Sequence, residues 1–259
     1  MSPQVEVVLS TPTDAYTAPI DAIANHDIPL WREAMLEAIG TGLFVYISLA
    51  GVQQAVLSSL STASPVDEVH IAICFALGLS AGIKFAWQSG AHLNTSVSFT
   101  MWVAGNISFR KFIVYALSQL GGAFLGSLVV IAVYYSQINN FVKNGALIGS
   151  FGTIKNASNS LFASILDQFI GSALLMIGIL KAPDSKWKPI TIGLVLGALG
   201  LFQGSNGFAF NPARDFAPRI ASTIIYGSDP FTSENYWFWV PLLIPFVGMP
   251  FGYFIAQFL

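Results

Sequence analysis

A chain of 259 residues with 54% apolar and only 9% charged side chains cannot be solvated by water over most of its surface. A soluble domain of that size carries about 25% charged residues. The net charge of −2 gives nucleic acid nothing to bind, and the single cysteine, Cys74, excludes a disulfide framework.

Residues 1–30 contain Pro, Asp and Ser but no basic start followed by an apolar stretch, so they read as a cytoplasmic tail rather than a signal peptide. Six apolar blocks follow: Met35–Leu57, Val69–Trp87, Phe112–Tyr135, Leu161–Leu180, Pro189–Phe202 extended by its flanks, and Trp237–Phe258. A hydrocarbon core about 30 Å thick needs roughly 20 apolar residues per helix. The expected class is an all-α, multi-pass membrane protein with little room for a separate soluble domain. Short-loop Lys and Arg set its orientation. Arg32, Lys84, Arg110, Lys111, Lys181, Lys186 and Lys188 fall on one side, against Lys143 and Lys155 on the other. Both termini are then cytoplasmic, the expected setting is the plasma membrane, and Asn156-Ala157-Ser158 is an outward-facing glycosylation sequon.

The chain also repeats itself. Glu37-Ala-Ile-Gly40 is echoed by Gln168-Phe-Ile-Gly171, and Ala91-His-Leu-Asn94 by Phe208-Ala-Phe-Asn211. Gln119-Leu-Gly-Gly-Ala-Phe-Leu-Gly126 has its counterpart in Pro245-Phe-Val-Gly-Met-Pro-Phe-Gly252. The halves run about 31–136 and 161–259, within a channel domain spanning 31–259. Each half holds an odd number of spans, so the second enters the membrane in the opposite sense, with the working site near the midplane. Between the second and third spans of each half lies a stretch too short to cross. Each offers an Asn, Asn94 or Asn211, followed by about ten helix-compatible residues. That pattern predicts a re-entrant half-helix with Asn at its N-cap, tolerated at membrane depth only where it lines a watery path.

At these residues the chain resembles the major intrinsic proteins, the aquaporins and aquaglyceroporins. Ser89-Gly-Ala-His-Leu-Asn-Thr-Ser-Val-Ser98 is similar to their first Asn-Pro-Ala loop. Gly207-Phe-Ala-Phe-Asn-Pro-Ala-Arg-Asp-Phe-Ala-Pro-Arg219 is similar to their second. The resemblance runs from about Arg32 to the C-terminus. Asp215, Arg219, Pro241-Leu242 and Asp167-Gln-Phe-Ile-Gly-Ser-Ala-Leu-Leu175 look like the glycerol-conducting branch. So does the longer second half, in which Asn211 precedes Gly248 by 37 positions where Asn94 precedes Gly122 by 28.

The resemblance implies six spans plus two half-helices in an inverted repeat, a homotetramer with one pore per subunit, and passive conduction of glycerol, similar polyols and water. Two half-helices meeting tip to tip would aim their positive dipole ends at the pore centre, repelling cations. There Asn94 and Asn211 would donate to a passing oxygen. Arg214, one turn into its half-helix, would form the constriction with Phe208; ionisable groups at such depth are functional by default. The remaining filter positions are Phe75 and Gly200 if both loops are one residue short, and Cys74 and Leu199 if they are not; the matched shortening in both halves favours Phe75 and Gly200. Glycine at 200 would leave room for a carbon skeleton beside two aromatic faces. His92 is similar to the family's vestibule histidine. Glu37 and Gln168 match residues that hold the re-entrant loops through backbone N–H groups, and Asp215 reads as a brace for the outer loop or Arg219.

One departure is plain. The first motif is Asn94-Thr95-Ser96, with two hydroxyls where the family has Pro and Ala. No nucleophile–base set, metal cluster or phosphate loop suggests an enzyme, and no cofactor is expected. The competing expectations are a water or hydrogen peroxide channel that excludes glycerol and, more remotely, a secondary transporter using Glu37 or Asp167.

Overall fold

The computed structural model describes residues 28–141, 145–203 and 206–259, so nearly all of the expected tail, residues 1–27, lies outside the described residues. The first half consists of α1 (Leu30–Thr62), α2 (Glu68–Ala86), the short α3 (Thr95–Val103) and α4 (Phe109–Asn140). The second half repeats that order with α5 (Leu161–Lys181), α6 (Lys188–Phe202) and α7 (Pro212–Tyr226). An added segment, α8 (Asp229–Tyr236), precedes α9 (Trp239–Leu243) and α10 (Pro245–Ala256). Four helices are long and apolar enough to cross a bilayer, and Lys188–Phe202 and Pro245–Ala256 are shorter apolar helices.

Local sequence accounts for the helix ends. Asp67 caps the His70 N–H at 2.8 Å, and Ser108 and Ser160 cap Lys111 and Ala163. Ser108 lies ahead of the third apolar block, so α4 begins at Phe109 and reaches 32 residues, whereas α1, 33 residues long, starts after Pro29 with no side-chain cap. The sixth block is one helical path in two pieces. Ile244 between α9 and α10 keeps helical angles (φ −62°, ψ −36°), but Pro245 and Pro250 have no N–H to give the ladder.

The packing shows the inverted repeat directly. α1 packs on α4, and its counterpart α5 packs on α10. Each of these contacts runs through paired glycines. A Cβ on Gly126 would lie 2.5 Å from the Gly42 carbonyl oxygen, and one on Gly248 would lie 2.6 Å from that of Phe169. Helix axes approach this closely only where side chains are absent, which is how helices associate in lipid. The two half-helices are held crosswise: α4 packs on α7, and α10 packs on α3. Each half therefore grips the half-helix of the other, bringing the two tips together.

Candidate functional site

Asn94 and Asn211 stand at the tips of α3 and α7, both in extended conformation (φ −153° and −147°) and both capping their helix. Asn211 Oδ1 accepts from the N–H groups of Ala213 (3.0 Å) and Arg214 (3.3 Å). Asn94 Oδ1 accepts from Ser96 N at 2.9 Å and from the Ser96 hydroxyl at 2.7 Å. Each amide then reaches across to the other half. Asn94 Nδ2 donates to the Phe210 carbonyl at 2.9 Å, and Asn211 Nδ2 to the Leu93 carbonyl at 2.7 Å. That uses one hydrogen per amide. The second remains for the cavity that both side chains line.

The acceptor residues are in an unusual backbone state. Leu93 and Phe210 have φ of 49° and 45°, which costs a non-glycine residue about 1 kcal/mol or more. Packing holds them there. The Leu93 side chain fills the space where a Cβ on Gly40 or Gly82 would stand. The Phe210 ring does the same above Gly171. Gly40 and Gly171 occupy matching places in the repeat, so each half seats the residue before its Asn on the same glycine.

Buried polar side chains anchor the loops below these tips. Glu37 Oε1 accepts from Ser89 Oγ (2.6 Å) and His92 N (2.9 Å); Oε2 accepts from Leu93 N and Gln119 Nε2, both at 2.8 Å. Four donors on two oxygens compensate for burying the carboxyl group. Gln168 differs from the expected pattern. Its Nε2 donates to the Gly207 carbonyl at 2.7 Å rather than its oxygen accepting a backbone N–H. An amide can hold a loop by either end, and here the loop offers a carbonyl. His92 lines the cavity, with Nδ1 3.0 Å from Ser98 Oγ and its ring edge-on to Tyr115.

On the side of the tips towards α8, four of the named residues converge. The Arg214 guanidinium carbon lies 4.5 Å from the Phe75 ring centre and 6.0 Å from that of Phe208. The two rings meet edge to face at 4.7 Å. A Cβ on Gly200 would lie 2.9–3.0 Å from the Phe208 ring, so glycine is what leaves the ring its place. Cys74 points elsewhere: it packs against Gly51, with Sγ 3.6 Å from His70 Nε2. Leu199, next to Gly200, is buried. Geometry thus brings Phe75, Gly200, Phe208 and Arg214 together.

Asp215 faces away from it. Its Oδ1 takes Arg219 Nε at 2.6 Å, and Oδ2 takes both the N–H and the hydroxyl of Thr153 at 2.8 Å. Arg219 also donates to the carbonyls of Pro230 and Thr153. Asp215 and Arg219 together tie α7 to the long connections on either side of it. The nearest Arg214–Asp215 approach is 3.5 Å, and Arg214 Nε has no hydrogen-bond partner among the described residues. Arg214 is therefore held mainly by its aromatic neighbours.

From Phe75 and Phe208 a cavity of about 250 Å³ runs past Asn94 and Asn211 to His92 and Lys188. Leu79, Ile83, Ile192 and Leu196 supply much of an apolar wall, and the asparagines supply donors along it. Sequence reasoning did not find Ser89, Ser98, Gln119 or Thr153, which position these groups. The signal was weak, because each is an ordinary polar residue whose partner lies far off in the chain.

The major intrinsic protein family model matches residues 24–256. The chain belongs to that family. Among its relatives is Aquaglyceroporin-3 of Trypanosoma brucei brucei, 34% identical over 244 residues, covering 88% of this chain and 78% of that protein. Another is glycerol uptake facilitator protein 3 of Lactiplantibacillus plantarum, 32% identical, covering 86% and 95%. The crystal structure of the aquaglyceroporin from Plasmodium falciparum matches with a TM-score of 0.80 and 31% identity, covering 88% of this chain and 96% of that one. An all-helical major intrinsic protein fold accounts for every described helix.

Proposed function

We propose that this major intrinsic protein is a passive channel for glycerol and similar small polyols, with water passing alongside. The observation that carries the reading is the grouping of two aromatic faces, Phe75 and Phe208, with the Arg214 guanidinium, Gly200 giving the Phe208 ring its place. CH groups of a polyol fit against the rings while its hydroxyls accept from the guanidinium. The names of the relatives, aquaglyceroporins and a glycerol uptake facilitator, support the same solute class. Beyond the constriction, the free amide hydrogens of Asn94 and Asn211 would meet the solute oxygens from opposite half-helix tips. Two positive helix ends and Arg214 oppose cations there.

We take the channel domain to span 31–259, with a cytoplasmic tail at 1–30 and both termini cytoplasmic in the plasma membrane. The Lys and Arg imbalance between the two faces supports that orientation. Family membership supports a homotetramer and a transport rather than an enzymatic role.

The rival reading is a water or hydrogen peroxide channel that excludes glycerol. It draws on the 4.7 Å contact between the rings of Phe75 and Phe208, which leaves the slot slender. Stopped-flow light scattering on liposomes containing the protein separates the two. Fast, non-saturating glycerol entry that Gly200→Trp abolishes supports the polyol reading. Water flux without glycerol entry rejects it in favour of the rival.

A further inference from the structure

The two half-helix caps share a geometry but not a chemistry. Asn211 Oδ1 takes two backbone N–H groups, whereas Asn94 Oδ1 takes one, and its second donor is the Ser96 hydroxyl. The matching position in α7 is Ala213, which has no hydroxyl to offer. Ser96 is fully buried and does not line the cavity. A helical hydroxyl often bonds back to the carbonyl four residues earlier. Thr100 in this same helix does so, to Ser96 O at 2.7 Å, but Ser96 in the first turn is committed to Asn94 instead.

We propose that Ser96 is a positioning residue for permeation. Its hydroxyl locks the Asn94 amide so that the hydrogen not given to Phe210 is presented to the solute from one fixed place, favouring solutes with several hydroxyls over water. The proposal rests on the polyol reading above. The torsion that turns an amide group is broad. Ser96 N–H and the Phe210 carbonyl each hold one end of Asn94, and the hydroxyl adds the second bond on Oδ1 that Asn211 receives from Arg214 N–H. A polyol must meet Asn94, Asn211 and Arg214 in a consistent register. Donors fixed in advance spare the ordering cost at the moment of passage. A water molecule is small enough to reorient towards a donor that has swung aside. The hydroxyl in this atypical first motif thus supplies the second Oδ1 bond, which at Asn211 comes from a backbone N–H.

Ser96→Ala and Ser96→Thr test this in liposomes carrying equal amounts of folded protein, checked by size exclusion. The glycerol-to-water permeability ratio is expected to fall roughly fivefold in Ser96→Ala, the factor one neutral hydrogen bond supports, and to be kept within about twofold in Ser96→Thr. Solid-state NMR of the ¹⁵N-labelled Asn94 side-chain amide, in the same vesicles, is expected to show a rigid group in the wild type and a motionally averaged one in Ser96→Ala. An unchanged ratio in Ser96→Ala overturns the proposal, and so does an equal loss of water and glycerol. If the wild type passes water but no glycerol, the polyol reading fails; the amide spectrum then still decides whether Ser96 fixes Asn94. A rigid Asn94 amide in Ser96→Ala overturns the proposal in every case.

Discussion

The Phe210 ring fills the space that a side chain on Gly171 would need, and the Phe210 carbonyl is the acceptor that Asn94 reaches across the pore. A structural seat in α5 thereby sets a polar contact at the tip of α3. Gly171→Ala is expected to cost about 2 kcal/mol through overpacking. It should also reduce water and glycerol flux together, because Phe210 must shift. Thermal unfolding of the purified protein and stopped-flow flux measure both effects. A variant with normal stability and flux would show that the ring moves aside freely.

Glu37→Gln is the sharpest test of the loop anchor. The carboxyl group receives donors on both oxygens, and an amide can accept on only one. Whichever way the amide is turned, one buried backbone N–H, that of His92 or of Leu93, faces an NH₂ group, because Ser89 can turn its hydrogen to the Ala86 carbonyl and Gln119 can turn its amide. An unsatisfied group costs about 1–3 kcal/mol, so a loss of about 2 kcal/mol is expected in chemical unfolding. Loss below about 1 kcal/mol would mean that the loop around His92 re-forms its bonds elsewhere.

Arg219 is buried and holds Asp215, Pro230 and Thr153 at once. Replacing it with Gln takes from the Asp215 carboxyl its nearer cationic partner and leaves only Arg214 at 3.5 Å; breaking a buried pair costs about 3–5 kcal/mol. Limited proteolysis is expected to cut the connection around Thr153 faster in Arg219→Gln than in the wild type. Equal cutting rates would assign that loop to other contacts.

Thr95 makes the opposite prediction. Its hydroxyl is buried with no hydrogen-bond partner among the described residues, and it occupies the first helical position, where Pro is well suited. The preceding Asn94 already has the extended backbone that Pro requires (φ −153°, ψ 121°). Thr95→Pro is expected to stabilise the protein by about 0.5–1 kcal/mol, seen as a higher midpoint of thermal unfolding. A lower midpoint would show that the Thr95 N–H or hydroxyl is used.

Much of this architecture was legible because it is carried by patterns the chain repeats. The glycines at 122, 126, 248 and 252 stand in segments that repeat between the halves, and glycine in an apolar helix leaves room for another backbone. The anchors were harder to read. Glu37 stood out as an acid in an apolar block, but its partners Ser89 and Gln119 lie 52 and 82 positions away. Gln168 was recognised by its match to Glu37, yet it holds its loop with the opposite end of its hydrogen-bonding group.

The sequence by itself determined the number of spans, the duplication and the opposite sense of its two copies. Those follow from the length of apolar runs and from an odd number of spans per half. The matched loop shortening favoured Phe75 over its neighbour, and tertiary structure decided which of the two faces Arg214. Successive residues on a helix point about 100° apart, so a single-residue difference in loop length exchanges Phe75 for Cys74. Packing resolves that difference by seating Cys74 on Gly51 and turning Phe75 towards Arg214. It also set the crossed bonds from Asn94 to Phe210 and from Asn211 to Leu93. These need two carbonyls in a left-handed backbone state, which only the glycine seats on neighbouring helices hold in place.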